Sequence, residues 1–148
     1  MSKLVQAFLS GMFITFLLDF FLFLGIFQNY IRVHEIDLYY NILFADNQSL
    51  ILFLLFSVIL GYISLYQSTK IALVTIGILA ILSLSTLISP IGNSVAQAIL
   101  MKKDVMITMQ KYSYRGDVLY DGRTHISFYD YRLEKTLELE KNKIISEN

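Results

Sequence analysis

Hydrophobic residues form three long blocks in the N-terminal part of the chain. The first block covers residues 4–27, with Asp19 as its only ionisable residue, and the third is divided by Pro90, the only proline. A stretch of about 20 apolar residues is long enough to cross the hydrocarbon core of a bilayer. The pattern therefore predicts three transmembrane helices, at about residues 4–27, 49–67 and 71–89.

The sequence after Pro90 remains apolar as far as Met101. Proline removes a backbone donor and clashes with the preceding helical turn, so we expect a kink or a break at this point. Residues 90–101 then continue the third helix at an angle or lie along the membrane interface. Residues 1–101 are accordingly assigned to one membrane domain.

The loop between the first two blocks, residues 28–48, is too apolar to be a simple linker. Ile36, Tyr40, Leu43 and Phe44 fall at helical spacing, with charged residues on the other faces. This spacing favours a short amphipathic helix at the membrane surface. Alternation with a period of two fits part of the same loop, so a strand is the competing interpretation.

Beyond residue 101 the chain becomes polar, and its hydrophobic residues begin to alternate with polar ones. Alternation with a period of two is typical of a strand with one buried face. The pair Asp121-Gly122 is a strong signal for a hairpin turn. Residues 102–148 are therefore predicted to form a small extramembrane tail, an antiparallel β meander.

One face of this meander is expected to be buried. It carries four apolar residues, Ile126, Phe128, Leu137 and Leu139. Ser127 would then lie on the opposite face. A terminal helix over residues 132–145 is the alternative to the last strand. The predicted fold class is thus a mainly α membrane protein, with three transmembrane helices followed by a small antiparallel β tail.

Composition supports the membrane class and narrows the chemistry. The chain is 55% hydrophobic and 16% charged, and its formal net charge is zero. A neutral chain has no general attraction to nucleic acid, and the absence of cysteine excludes disulfides and thiol catalysis. No phosphate-binding loop, nucleophile motif or metal-binding spacing occurs. We therefore predict no catalytic residue, no cofactor and no metal.

The distribution of lysine and arginine predicts an orientation. These residues are enriched on the cytoplasmic side of membrane-spanning helices. Lys3 and Lys70 fall on one side of the predicted helices. The larger group falls on the other side and consists of Arg32, Lys102, Lys103, Lys111 and Arg115. The predicted location is the inner membrane of a bacterial cell, as a multi-pass protein with a cytoplasmic C-terminal tail.

Asp19 lies near the midpoint of the first apolar block. A charged side chain at the bilayer centre costs about 2.5–3.5 kcal/mol on insertion scales, so such residues usually face protein or water. We interpret Asp19 as a partner-binding residue that meets a basic or polar group of another membrane protein. Two alternatives stay open: a protonated Asp19 bonded to a serine or threonine of this chain, and a proton or ion pathway.

A stripe of small residues follows one face of the second predicted helix. It consists of Ser57, Gly61, Ser64 and Ser68. Small residues let helix backbones approach closely, and such packing is a main source of attraction between helices in lipid. We predict a partner-binding role for this stripe, with packing against the chain's own helices as the alternative.

Together these features favour a non-enzymatic integral membrane accessory protein. It would stabilise or help to assemble a larger membrane complex, with another integral membrane protein and the lipid bilayer as its partners. A small transporter or channel subunit that uses Asp19 in a proton or ion pathway is the alternative. An enzyme is the least favoured interpretation, because the sequence lacks a polar catalytic cluster.

Overall fold

The structure, a computed structural model, describes residues 2–147 and consists of helices followed by one sheet. The helices are α1 (Lys3–Ile26), α2 (Tyr40–Asn47), α3 (Leu50–Tyr66), α4 (Thr69–Ser85) and α5 (Ser89–Leu100). The strands are β1 (Lys102–Met109), β2 (Ser113–Asp121), β3 (His125–Asp130), β4 (Lys135–Glu140) and β5 (Ile144–Glu147). A π-helical turn, Phe27–Ile31, extends α1, and a 3₁₀ turn, Lys141–Lys143, joins β4 to β5.

Among residues 2–147, only α1 is long and apolar enough to cross a membrane by itself. With its π-helical extension it forms a helix of 29 residues, Lys3–Ile31, with a mean hydropathy of 2.1. The other helices meet the same criteria only in pairs that are sharply bent, by 81° between α2 and α3 and by 91° between α4 and α5. The prediction of three transmembrane helices is therefore wrong, and a multi-pass topology is not supported.

The prediction failed because the helices of the second and third blocks are too short to cross a membrane by themselves. Helices α3 and α4 have 17 residues each, and 17 residues extend only about 25 Å, less than a hydrocarbon core of about 30 Å. Serine side chains cap both helices: Ser49 accepts from the backbone N–H of Leu52, and Ser68 accepts from that of Ile71. Pro90 lies in the first turn of α5, so it helps to begin a new helix rather than to kink an old one.

Helices α1 and α3 pack at very short distance through small residues. A Cβ atom added at Gly11 would lie 1.8 Å from the carbonyl oxygen of Ser57, and one added at Gly61 would lie 2.1 Å from that of Ala7. The two backbones are therefore in contact at these positions, as glycine permits. This packing joins the first and second apolar blocks within the chain itself.

The C-terminal part of the chain forms a five-stranded antiparallel sheet in the order β4-β3-β2-β1-β5. Its two edges, β4 and β5, are separated in sequence only by Lys141–Lys143. Five strands at about 4.8 Å spacing extend about 19 Å, whereas the four peptide units of this link reach at most about 14 Å. The sheet must therefore coil so that its edges approach each other.

The coiled sheet encloses a small hydrophobic core. Its fully or nearly fully buried members are Val105, Ile107, Val118, Ile126, Phe128 and Leu139. Ile126, Phe128 and Leu139 were expected to be buried, and Leu137 packs at the edge of the same cluster. Residues 132–145 form a turn, β4 and the start of β5. The alternative of a terminal helix is thus wrong, and the predicted small meander is a larger sheet of five strands.

The outer face of the sheet is also covered, because it packs against the helices. Leu119 and Tyr120 belong to a second core, together with helical residues that include Ile26, Tyr30 and Leu43. Ser127 is only 6% exposed, so the expectation of one solvent-facing side was wrong at this position. The sheet is therefore docked on the helices, and its position relative to them is fixed by apolar contacts.

A β-bulge creates a specific polar contact in this docking interface. The pairing of β2 with β3 shifts between Val118 and Tyr120, which leaves Leu119 outside the regular ladder. The hydroxyl of Tyr30, a residue with no exposed surface, donates a hydrogen bond of 2.9 Å to the carbonyl oxygen of Leu119. One buried hydroxyl thus satisfies the backbone acceptor of the bulge.

Replacement of Tyr30 by phenylalanine is expected to destabilise the protein by about 1–3 kcal/mol, because it leaves a buried carbonyl without its donor. Thermal unfolding of the detergent-solubilised protein measures the effect. Tyr112→Phe is the matched control, since the side chain of Tyr112 is 62% exposed. Equal unfolding temperatures for the two variants would contradict a structural role for the bulge contact.

Candidate functional site

Asp19 is half-buried on α1 and is held by Gln48, which lies between α2 and α3. The side-chain amide of Gln48 donates a hydrogen bond of 2.9 Å to Oδ2 of Asp19. The sequence analysis had considered only serine and threonine as partners within the chain. Two of those candidates contact the backbone of α1 instead: Ser83 donates to the carbonyl oxygen of Leu18, and Thr86 lies 3.3 Å from that of Leu22.

Gln48 belongs to a short segment that also contacts the sheet. Gln48 follows α2 directly, and Asp46 in the last turn of α2 pairs with Arg123 in the β2–β3 turn. The Nε atom of Arg123 lies 2.9 Å and 3.0 Å from the two carboxylate oxygens of Asp46. The segment Asp46–Gln48 therefore makes two polar contacts, one with the sheet and one with α1.

The depth of Asp19 in a bilayer depends on where along α1 the hydrocarbon core begins. A hydrocarbon core of about 30 Å covers about 20 helical residues. Measured from Lys3, where the 29-residue helix begins, this core ends close to Phe23. Asp19 would then lie within about one turn of the boundary, where a carboxylate is less costly than at the midplane.

Two clefts meet at Asp19. One, of about 440 Å³, lies between α1, α3, α4 and α5, and the other, of about 330 Å³, extends towards the α2–α3 junction. Four residues line both clefts: Thr15, Asp19, Leu22 and Phe56. The other polar lining residues lie at the end of α4 (Ser83, Ser85 and Thr86) and at the α2–α3 junction (Asn47, Gln48 and Ser49), and the remaining walls are aliphatic and aromatic.

Thr15 is the second polar residue that both clefts share. It lies one helical turn before Asp19 and is only 3% exposed. Its hydroxyl has no hydrogen-bond partner among the described residues. Buried hydroxyls nearly always have a partner, so an unsatisfied one in a cleft wall calls for an explanation. Thr15 and Asp19 together form a polar pair with unused hydrogen-bonding capacity.

The predicted stripe of small residues lies apart from these clefts. Ser57 and Gly61 are buried against α1, and Ser57 donates to the carbonyl oxygen of Phe53 in its own helix. Ser64 is half-buried, and Ser68 is exposed and caps α4. The intrachain packing that was the alternative interpretation thus accounts for Ser57 and Gly61. A partner-binding role for the stripe remains a prediction.

Several acidic groups of the sheet, in contrast to Asp19, are neutralised by basic residues of the same chain. Hydrogen bonds from Arg115 to both carboxylate oxygens of Asp104, at 2.8 Å and 3.0 Å, lower the pKa of Asp104. Burial acts to raise the pKa of Asp121, but ion pairs with Lys141 and Lys102 outweigh it and lower the pKa. These pairs stabilise the sheet surface and leave no evident reactive group there.

No cluster of metal-binding side chains occurs among residues 2–147. His125 is exposed, and its ring nitrogen lies 2.9 Å from the hydroxyl of Thr124. His34 contacts the backbone carbonyl oxygen of Tyr30. Neither histidine lines the clefts at Asp19. Asp19 and Thr15 are therefore the candidate functional residues of the described part of the chain.

Sequence reasoning identified Asp19 but missed Gln48 and Thr15. An isolated carboxylate in an apolar block is visible in the sequence, whereas the role of a glutamine in a polar loop depends on where the chain folds back. Thr15 carries one available signal, because it precedes Asp19 by one helical turn and so shares its face.

No protein-family model, curated protein or solved structure matches the chain.

Proposed function

We propose that this chain is a non-enzymatic membrane accessory protein that helps to assemble or stabilise a larger membrane complex. Helix α1 anchors it in the bilayer, and the clefts at Asp19 receive part of another integral membrane protein. The sheet is presented to the same complex from the membrane surface. The accessory role combines one anchoring helix, one polar contact point and one rigidly attached extramembrane unit.

The observation that carries this proposal is the incomplete satisfaction of Asp19 and Thr15 inside apolar clefts. Buried polar groups are normally paired, and a carboxylate within a membrane segment usually faces protein. Gln48 occupies one oxygen of Asp19, while the hydroxyl of Thr15 has no partner among the described residues. A partner that enters the cleft would complete both sets of hydrogen bonds.

The exposed faces of α3 and α4 support the same proposal. Contiguous apolar surface on this scale requires lipid or another protein to cover it. Residues at least 40% exposed on these faces include Leu54, Leu55, Val58, Ile59, Ile78, Ile81 and Leu82. Their position beside the clefts provides additional area against which a partner helix can pack.

The orientation we propose places the sheet in the cytoplasm and α1 in the inner membrane of a bacterial cell. Lys3 lies at one end of the anchoring helix, whereas Arg32, Lys102 and Lys103 follow the other end. Positively charged residues concentrate on the cytoplasmic side of membrane segments. This orientation requires only that α1 crosses the membrane.

Replacement of Asp19 by leucine tests the proposed function. The variant is expected to accumulate at close to the wild-type level, because it removes a costly polar group from the membrane segment. Association with the complex should fall about tenfold or more, since the partner's polar group loses its acceptor. Quantitative mass spectrometry after purification in mild detergent measures both quantities. Asp19→Asn is expected to retain part of the association if a hydrogen bond suffices.

Phe13→Leu is the control, because Phe13 is 64% exposed and lines neither cleft. Wild-type association of Asp19→Leu would contradict the proposal. An intact complex that has lost ion-dependent activity would instead support the alternative of a transporter or channel subunit. Co-purification and activity therefore have to be measured on the same preparation.

A further inference from the structure

The absence of an ion pair at Asp19 among the described residues restricts the chemistry of its partner. When ionised, a carboxylate accepts hydrogen bonds at both oxygens and cannot donate. Gln48 donates to Oδ2, and none of the ion pairs formed among residues 2–147 includes Asp19. The best complement is therefore a group that supplies positive charge together with several donors.

The buried hydroxyl of Thr15 further restricts the chemical groups that fit the site. Its hydroxyl lies in the wall of the same clefts, one turn from Asp19, and is buried without a partner among the described residues. A hydroxyl oxygen can accept a hydrogen bond, and an ammonium group has three N–H donors. An ammonium that reaches both side chains would therefore satisfy Asp19 and Thr15 together. A neutral amide could donate to both oxygens but would leave the negative charge unpaired.

The apolar walls of the clefts indicate what kind of side chain carries the charged group. Leu18, Leu22, Leu60 and Phe56 present apolar surface around the two polar groups. A lysine side chain combines an aliphatic stem of four carbons with a terminal ammonium, and the stem can pack along apolar surface while the charge reaches a polar site. The ammonium is also a compact point charge, whereas the guanidinium of arginine is a larger planar fork of five donors.

We infer that the clefts at Asp19 and Thr15 receive a lysine side chain carried on an apolar helix of the partner protein. This inference rests on the proposed function and specifies the partner's contact group. The ammonium pairs with Asp19 and donates to Thr15, while the partner helix packs against the exposed apolar residues of α3 and α4. The lysine would enter near the sheet end of α1, within about one helical turn of the hydrocarbon boundary.

A designed peptide tests the inference without knowledge of the natural partner. The probe is a 20-residue leucine–alanine transmembrane helix with one lysine four residues from an end, and its control carries glutamine at that position. Both are reconstituted with the full-length protein in phosphatidylcholine vesicles, whose head groups lack N–H donors. Association is measured by energy transfer between labels on the peptide and on the protein.

The lysine peptide is expected to associate about threefold to tenfold more strongly than the glutamine peptide, in keeping with measured polar contacts between helices in lipid. Asp19→Asn should abolish this preference, because it removes the charge at nearly constant shape. Thr15→Val should reduce it in part, since valine preserves the side-chain volume without the hydroxyl.

Equal association of the two peptides with the wild-type protein would overturn the inference, as would a lysine preference that persists in Asp19→Asn. The ammonium of phosphatidylethanolamine is the rival occupant. A lysine preference that is lost when phosphatidylethanolamine replaces phosphatidylcholine would assign the site to lipid and also overturn the inference. Asp19→Leu could fail to co-purify with the complex while the lysine and glutamine peptides associate equally with the wild-type protein. That result would support the proposed function and refute only the inference that a lysine occupies the cleft.

Discussion

Replacement of Gly11 by leucine is expected to separate α1 from α3 and to destabilise the helical part by about 3 kcal/mol or more. Even a Cβ atom at this position would lie 1.8 Å from the carbonyl oxygen of Ser57, which is far inside van der Waals contact. The obstacle is backbone, so a change of side-chain rotamer cannot relieve it. Overpacking alone costs about 1–3 kcal/mol, and the loss of the remaining α1–α3 contacts adds to that cost.

Gly77→Leu is the matched control for this substitution. Gly77 also lies in an apolar helix, but a Cβ atom there would meet nothing within 4 Å. Size-exclusion chromatography in detergent as a function of temperature reports the fraction of each variant that remains folded. Gly11→Leu should lose its monodisperse peak at a much lower temperature than Gly77→Leu. Similar behaviour of the two variants would show that the close α1–α3 packing does not exist.

Replacement of Phe128 by aspartate is expected to unfold the sheet. Phe128 is completely buried in the core that the coiled strands enclose. An unpaired charge in that core costs several kcal/mol, and loss of the aromatic ring removes about 3–5 kcal/mol of packing. Because this core contains six buried residues, the loss of Phe128 removes a large share of its packing. Limited proteolysis should therefore cleave the variant throughout residues 102–147.

Thr136→Asp controls for the introduction of charge, because Thr136 is exposed on β4. It should resist proteolysis as well as the wild-type protein does. Since the sheet docks on the helices, Phe128→Asp should also weaken the contact between Tyr30 and Leu119. Comparable resistance of both variants would refute the enclosed core.

The sequence predicted local features well where one short segment determines them. The second apolar block was placed at residues 49–67, and α3 is Leu50–Tyr66. The Asp121-Gly122 signal lies at the junction where β2 ends and the turn to β3 begins. Hydrophobic periodicity and turn propensity act over a few residues, so they can be read without knowledge of the fold.

Features that depend on distant contacts could not be predicted. The angles of the two sharp bends decide how many helices can cross a membrane, and Ser49 caps α3 at one bend while Thr86 contacts α1 near the other. A break at Pro90 was expected from the sequence, but its angle of 91° was not. A strand that crosses to the other edge of the sheet, as β5 does, has no signature in its own residues. The pairing of Gln48 with Asp19 joins positions 29 residues apart, so only the folded chain reveals it.

The segment from Asp46 to Gln48 has a mechanical consequence. Asp46 holds the sheet through Arg123, and Gln48 holds α1 through Asp19. A displacement of the sheet that pulls on Asp46 must therefore act on the hydrogen bond at Asp19, and occupation of the cleft must act on the sheet by the same route. Binding equilibria linked in this way influence each other equally in both directions. In the proposed accessory role, contacts made by the sheet at the membrane surface and contacts made in the cleft at Asp19 would therefore be energetically coupled through residues 46–48.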